Sequence, residues 1–194
     1  MWSYMRELKN IMEKYTAIKD RASKYTAILD QVVTYRDAWG EGLKDQIKGI
    51  TEEILEHTGI NAQLEIEERF ENLESITVSL GKAISGIAEN IDSENKRTII
   101  KEKGSLIFSQ LFNGKVQAWM TYPLIEGLMQ PKQPKMIGIY APPEFNDQLI
   151  LTIFDSFFKE LIDWENYDDD QPGQQVNRIG FGLPQGMEDQ DGNA

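Results

Sequence analysis

The chain of 194 residues has no cysteine. Disulfides, thiolate metal sites and cysteine nucleophiles are therefore excluded. It has a single histidine, His57, so metal sites built on two histidines and relays between histidines are excluded as well. No apolar run is long enough to span a bilayer. The opening MWSYMRELKN puts charge directly into a helical pattern, where a secretory leader would carry an apolar core and a small-residue cleavage site. A soluble, cytoplasmic protein with no membrane contact is the expectation. Basic residues are also scarce, with 20 Lys and Arg against 32 Asp and Glu and a net charge of −12. Nucleic-acid binding needs a basic face to displace phosphate counterions, so nucleic acid is not expected as the main ligand.

Catalytic signatures are missing too. Neither GxSxG nor GxGxxG occurs. Gly81-Lys82 is followed by Ala83 and lacks the upstream glycine of a phosphate loop. His57 falls in a last helical turn, where an imidazole suits the helix dipole without further purpose. Asp163, Glu165, Asp168, Asp169 and Asp170 lack the alternating ligands and fixed glycine of a calcium loop, so they read as a solvated acidic run. No catalytic, cofactor-binding or metal-binding residue is assigned, and no cofactor is expected.

What the chain does have is a long apolar seam. Leu8, Ile11, Tyr15, Ile18, Ala22, Tyr25, Leu29, Val32 and Trp39 follow alternating three- and four-residue steps, interrupted by Arg36. That is the heptad pattern of a helix that must bury one face against a partner. With Leu8 at position a, the flanking g and e positions hold Lys14, Lys19 and Arg21, then Ile28, Val33 and Tyr35. In a parallel twin Lys14 would meet Lys19, which disfavours that pairing. The apolar flanks further along widen the stripe toward a helix with several neighbours. KYTAIKD at 14–20 recurs as KYTAILD at 24–30, but ten residues is no helical repeat period.

Gly40 and Gly42 predict a tight reversal into a second, acidic helix, with Leu43, Ile47, Ile50 and Ile54 inward and a cap at His57-Thr58-Gly59. Residues 61–91 carry two competing signals. Ile66, Phe70, Leu73, Ile76, Leu80, Ile84, Ile87 and Ile91 keep helical spacing, whereas SITVSL at 75–80 alternates like a strand. The longer periodic match predicts a helix, and SENKRTIIKEK at 93–103 predicts a further helical piece. Asn113-Gly114 between Ser105–Phe112 and Lys115–Tyr122 predicts a β-hairpin with a type I′ turn. MIGIY at 136–140 reads as a more buried third strand, and Pro142-Pro143 as the start of an apolar-faced helix through Leu149, Ile153, Phe157, Leu161 and Trp164.

The expected class is therefore α+β: an N-terminal helical bundle or coiled-coil-like hairpin over residues 1–104, then a small three-stranded sheet covered by a C-terminal helix over 105–165. Residues 166–194 read as an acidic flexible tail. Within that tail RIGFGLP presents Ile179, Phe181 and Leu183 in alternation, as in a peptide that adds to a sheet edge of a partner or of its own domain. The leading functional expectation is a non-enzymatic assembly or adaptor subunit that binds a protein partner, or itself, through Leu8, Ile11, Tyr15, Ile18, Tyr25, Leu29, Val32 and Trp39. An acidic chaperone holding a partner segment is the alternative. A small-ligand binder or enzyme is the third, with Trp119, Tyr122, Tyr140, Phe145, Phe154, Phe157, Phe158 and Trp164 as an aromatic pocket and Asp155 or Glu144 beside it.

Overall fold

The computed structural model describes residues 2–166. It is α+β: a long kinked N-terminal helix, antiparallel sheets and a C-terminal helix. Helix α1 spans Trp2–Ala38 and passes through a π-helical turn, Trp39–Leu43, into α2, Lys44–Thr58. The Gly40/Gly42 pair produces a kink at Gly42 where a reversal into a hairpin was expected. Glycine frees the backbone from helical geometry, but the apolar stripe continues through Trp39, Leu43, Ile47 and Ile54. That continuity holds α2 on the same burial track. Gly59, left-handed at φ 66°, closes α2 with its N–H donating to Leu55 O, as the sequence predicts.

The stretch expected to be helical is β-structure. β1 (Gln63–Glu67), β2 (Ser75–Ser79), β3 (Lys82–Asn90) and β4 (Lys96–Glu102) are followed by β5 (Ser105–Gln110), β6 (Val116–Thr121), β7 (Leu124–Ile125) and β8 (Lys135–Tyr140). Five of them form one antiparallel sheet in the order β1-β2-β5-β6-β8, and β3-β4-β7 form a second. A three-stranded sheet thus becomes eight strands in two sheets. The β2–β5 pairing, Ile76 opposite Phe108 and Val78 opposite Leu106, joins segments on either side of Gly104. The alternation in SITVSL was the correct signal, with Ile76 and Val78 fully buried. The helical spacing across 66–91 is coincidental, since Ile84 and Ile91 are 72% and 63% exposed.

The second sheet is the first one continued around a corner. Leu80 N–H donates to Gly104 O and Lys103 N–H to Gly81 O, carrying the ladder from β2/β5 into β3/β4. Gly81 and Gly104 both have positive φ, and a Cβ on Gly104 would lie 2.7 Å from Thr121 O. Only glycine serves there. The β3/β4 ribbon projects beyond the main sheet as an arm.

One face of the five-stranded sheet carries the core. Leu106, Phe108, Val116, Ala118 and Met120 are fully buried against α2 and α3 (Asp147–Glu165), which contributes Ile150, Ile153, Phe154 and Phe157. Asn146 caps α3, its side chain accepting from Leu149 N–H at 2.9 Å, after a 3-10 turn at Pro142–Glu144. The predicted hairpin is present as β5/β6, but its turn differs. Among the described non-glycine residues positive φ occurs at Asn72 and not at Asn113, so Leu111 to Gly114 form an i to i+3 turn with Gly114 alone left-handed. Phe112, at the end of the predicted first strand, lies beyond β5 and is 73% exposed. β8 is an edge strand with Met136 and Ile139 half exposed, not the more buried strand predicted.

Two polar clusters pin the helices to the sheet. Trp39 Nε1 donates to Glu74 Oε2 at 2.9 Å, and Lys44 Nζ reaches Glu68 at 2.7 Å and Glu74 at 3.0 Å. On α3, Glu160 accepts from Tyr122 Oη at 2.7 Å and pairs with Lys135 at 2.6 Å. Burial pushes the Glu74 and Glu160 carboxyls up, but these donated hydrogen bonds outweigh it and hold both below the usual carboxylate range. Hydrogen bonds to Glu68 and Glu74 raise Lys44.

Depressed carboxyls contribute stability that is complete above their unfolded pKa and lost as pH falls through the folded values. Raised Lys44 contributes below its unfolded pKa and loses its effect as pH climbs through the folded one. Urea midpoints should therefore form a plateau between about pH 5 and pH 10, and Glu74→Gln should flatten the acid limb. Gly114→Ala should cost about 1–3 kcal/mol by urea denaturation, because its Cβ would sit 2.6 Å from Tyr35 Cβ and 2.9 Å from Arg36 N at φ +75°. Phe112→Ser at the same turn should stay within about 0.5 kcal/mol.

Candidate functional site

The seam residues divide into two sets. Trp39 is buried at 2% exposure and Val32 is half-buried, where the stripe meets the sheet end. Tyr35 and Arg36 lie against the β5–β6 turn, and Arg36 Nη2 donates to Phe112 O at 2.6 Å. Leu8, Ile11, Tyr15, Ile18, Tyr25 and Leu29 are 40–67% exposed. Every side chain described from Trp2 to Gln31 is exposed. Among the described residues no helical hairpin covers them, because α2 follows the stripe onto the sheet instead of folding back.

The same stripe thus does two things in sequence. Its C-terminal half, from Trp39 through Ile54, is a seat on the sheet. Its N-terminal half has run past the sheet's end and stands about 45 Å into solvent at 1.5 Å per residue. Tyr4, Met5, Met12, Ile28 and Val33 are exposed beside it, at 56–67%, and make the stripe broader than a two-stranded seam. Lys14, Lys19 and Arg21 flank these apolar positions, and Lys24 lies one step further round the helix. The Thr16, Thr26 and Thr34 hydroxyls each donate to the main-chain carbonyl four residues back, which keeps those polar groups satisfied within the helix.

Among the described residues most of the aromatic set packs against itself, while Tyr122 lines a cleft of about 720 Å³ with Lys132 and Pro134. Phe108 and Phe154 pack at 6.4 Å between ring centroids, Phe154 and Phe158 at 6.2 Å, and Phe157 and Phe158 at 5.4 Å. Trp119 lies on the opposite face of the sheet, its Nε1 donating to Ser109 Oγ at 3.0 Å. Glu144 accepts from Ala141 N–H at the turn before α3, and Asp155 is exposed. Ile179, Phe181 and Leu183 lie outside the described residues.

Among the described residues no helix is long and apolar enough to cross a membrane. Comparison with protein-family models, with curated proteins and with solved structures finds no match.

The free and seated halves should separate cleanly in dilute solution. Leu8→Ser, Ile18→Ser and Tyr25→Ser should each leave urea stability within about 0.5 kcal/mol, whereas Trp39→Ala should cost about 3–5 kcal/mol by removing the anchor and its bond to Glu74.

Proposed function

We propose that the chain is a non-enzymatic assembly or adaptor subunit that captures another protein through the free half of α1, and that the occupant of the seam is an amphipathic helix with acidic flanks. The observation that carries this is the exposure of Leu8, Ile11, Tyr15, Ile18, Tyr25 and Leu29 on one continuous helix. A heptad stripe in water is stabilised by covering it with another helix.

Charge selects the occupant. In a parallel twin Lys14 faces Lys19. In antiparallel registers Lys14 faces the twin's Arg21, or Lys19 and Arg21 face their own copies, or Lys14 faces its own copy with Glu7 opposite the twin's Arg21. Each arrangement sets like charges beside the seam. Glutamates at the flanking positions of a partner would instead meet Lys14, Lys19 and Arg21 with opposite charge, favouring specificity and association rate more than affinity. The chaperone reading draws on apolar surface at a sheet edge, where β8 offers Met136 and Ile139. The ligand-binding reading lacks an open aromatic cavity, since Phe154 and Phe157 are buried in contact with their neighbours. The helix remains the larger continuous surface.

The test is a pair of synthetic helices with leucine and isoleucine at the seam positions, one flanked by glutamate and one by lysine. Light scattering and fluorescence titration should show a complex of the full chain with the glutamate-flanked helix, at least tenfold weaker with the lysine-flanked one, and abolished by Ile18→Asp. A chain that is already a stable dimer, dissolved by Ile18→Asp, would replace the foreign helix with a second copy. Indifference to both helices in a monomer would overturn the reading.

A further inference from the structure

A second surface, independent of the free seam, lies on the β3/β4 arm. Along an antiparallel strand the main-chain groups of successive residues point alternately to the two neighbours. Ile91 N–H donates to Asn95 O, Ser85 Oγ to Ile99 O and Lys103 N–H to Gly81 O, so the odd-numbered residues of β4 face β3. Lys96, Thr98, Ile100 and Glu102 therefore face away from it. On that side β7 pairs with β4 at Lys101 and Glu102, and Glu126 N–H reaches Ile100 O at 3.2 Å. Among the described residues no strand pairs with this side of β4 beyond that point, and Lys96, Arg97 and Thr98 are exposed. The edge of β4 is thus open in line with a two-residue strand.

The ribbon to which this edge belongs lacks a full third strand. A two-stranded ribbon is marginal in water, and β3 and β4 extend well past β7 with Ile84 and Ile91 exposed. Its two faces differ. Ile99 is 9% exposed on one, whereas Ile100 and its cross-strand partner Ile84 are 37% and 72% exposed on the other. A strand that fits beside β4 carries apolar side chains on one face and almost none on the opposite one.

The chain itself supplies such a segment. In RIGFGLP at 178–184, Ile179, Phe181 and Leu183 alternate with Gly180 and Gly182, and glycine in a strand suits the close approach of another backbone. Helix α3 ends beside β4, with Lys101 Nζ 2.6 Å from Glu165 Oε2 and 4.8 Å from the Trp164 ring centroid. Twelve residue steps separate Asn166 from Arg178, a reach of up to about 40 Å, while Thr98 lies only about 10 Å along β4 from Lys101. Charge agrees with this seat. Asp168, Asp169 and Asp170 precede the motif, and Lys96, Arg97, Lys101 and Lys103 outnumber Glu102 along β4 and its end. The remaining sheet edges suit it less. β1 carries Glu65 and Glu67, Lys135 of β8 is already paired with Glu160, and β3 is interrupted by a bulge between Ile84 and Ala88.

We propose that residues 178–184 add to the open edge of β4 as a strand of the same chain, with Ile179, Phe181 and Leu183 on the side of Ile84 and Ile100 and the two glycines on the side of Ile99. Addition of a strand satisfies the open main-chain groups, and the alternate side chains give the fit its specificity.

Amide hydrogen exchange of the full chain, followed residue by residue in NMR, tests this. The Lys96 and Thr98 amides should exchange at least tenfold more slowly in the unsubstituted chain than in the Ile179→Asp/Phe181→Asp double variant, at a rate independent of protein concentration. Phe181→Leu should keep the protection. Amides of β5 and β6 should be unchanged in every variant, which separates lost docking from lost folding. Equal exchange of Lys96 and Thr98 in the unsubstituted chain and the double variant would overturn the proposal. Protection that rises with concentration would assign the edge to a second copy, and protection lost from β1 or β8 in place of β4 would seat the segment elsewhere; either result overturns it as well.

Discussion

One end of a long amphipathic helix is anchored and the other is not, and the rest of the molecule depends on how that anchor is made. Trp39 enters the core beside the sheet, and its indole N–H is satisfied by Glu74, which Lys44 in turn neutralises. A buried indole with an unpaired N–H, or a buried carboxylate without donors, would each cost free energy. Together they lock the π-helical turn against the loop before β2. Gly114 lets the β5–β6 turn approach Tyr35 and Arg36 closely from the other side. The direction of α1 is thus set at its root, by a clamp of one aromatic, one ion pair and one tight turn.

The sheet beneath is built so that its length ends where the helix becomes free. Its core face is apolar on every strand from β2 to β6, and α2 and α3 cover it. Its other end bends at Gly81, Gly104 and Pro123 into the β3/β4/β7 arm. The corner places Ile84, Ile91 and Ile100 on the arm with substantial exposure. Helix and arm therefore leave the body at different places.

Much of this was legible from residues alone. The heptad steps from Leu8 to Val32, the glycine cap at Gly59, the β5/β6 hairpin around Asn113-Gly114, and the apolar face of α3 from Ile150 to Leu161 each rest on local physics. The stretch 61–103 was misread because isoleucines spaced by three and four residues arise as easily from consecutive short strands as from a helix. The alternation of SITVSL marked a strand at Ile76, but its burial follows from the pairing with Phe108, which nothing local announces. The burial of Gln110 gave no signal either. A glutamine at a strand end reads as a solvated terminus until the fold closes over it.

The residues by themselves determined that α1 is a continuous amphipathic helix with basic flanks, since backbone propensity and side-chain periodicity act over a few turns. They also determined which catalytic chemistries were closed to a chain without cysteine and with one histidine. Only the tertiary structure decided which half of the stripe is covered. Burial is a property of what lies opposite, and the sheet that lies opposite Trp39, Leu43 and Ile47 is assembled from strands remote in sequence. The same apolar pattern is core at one end and open surface at the other because the sheet is shorter than the helix.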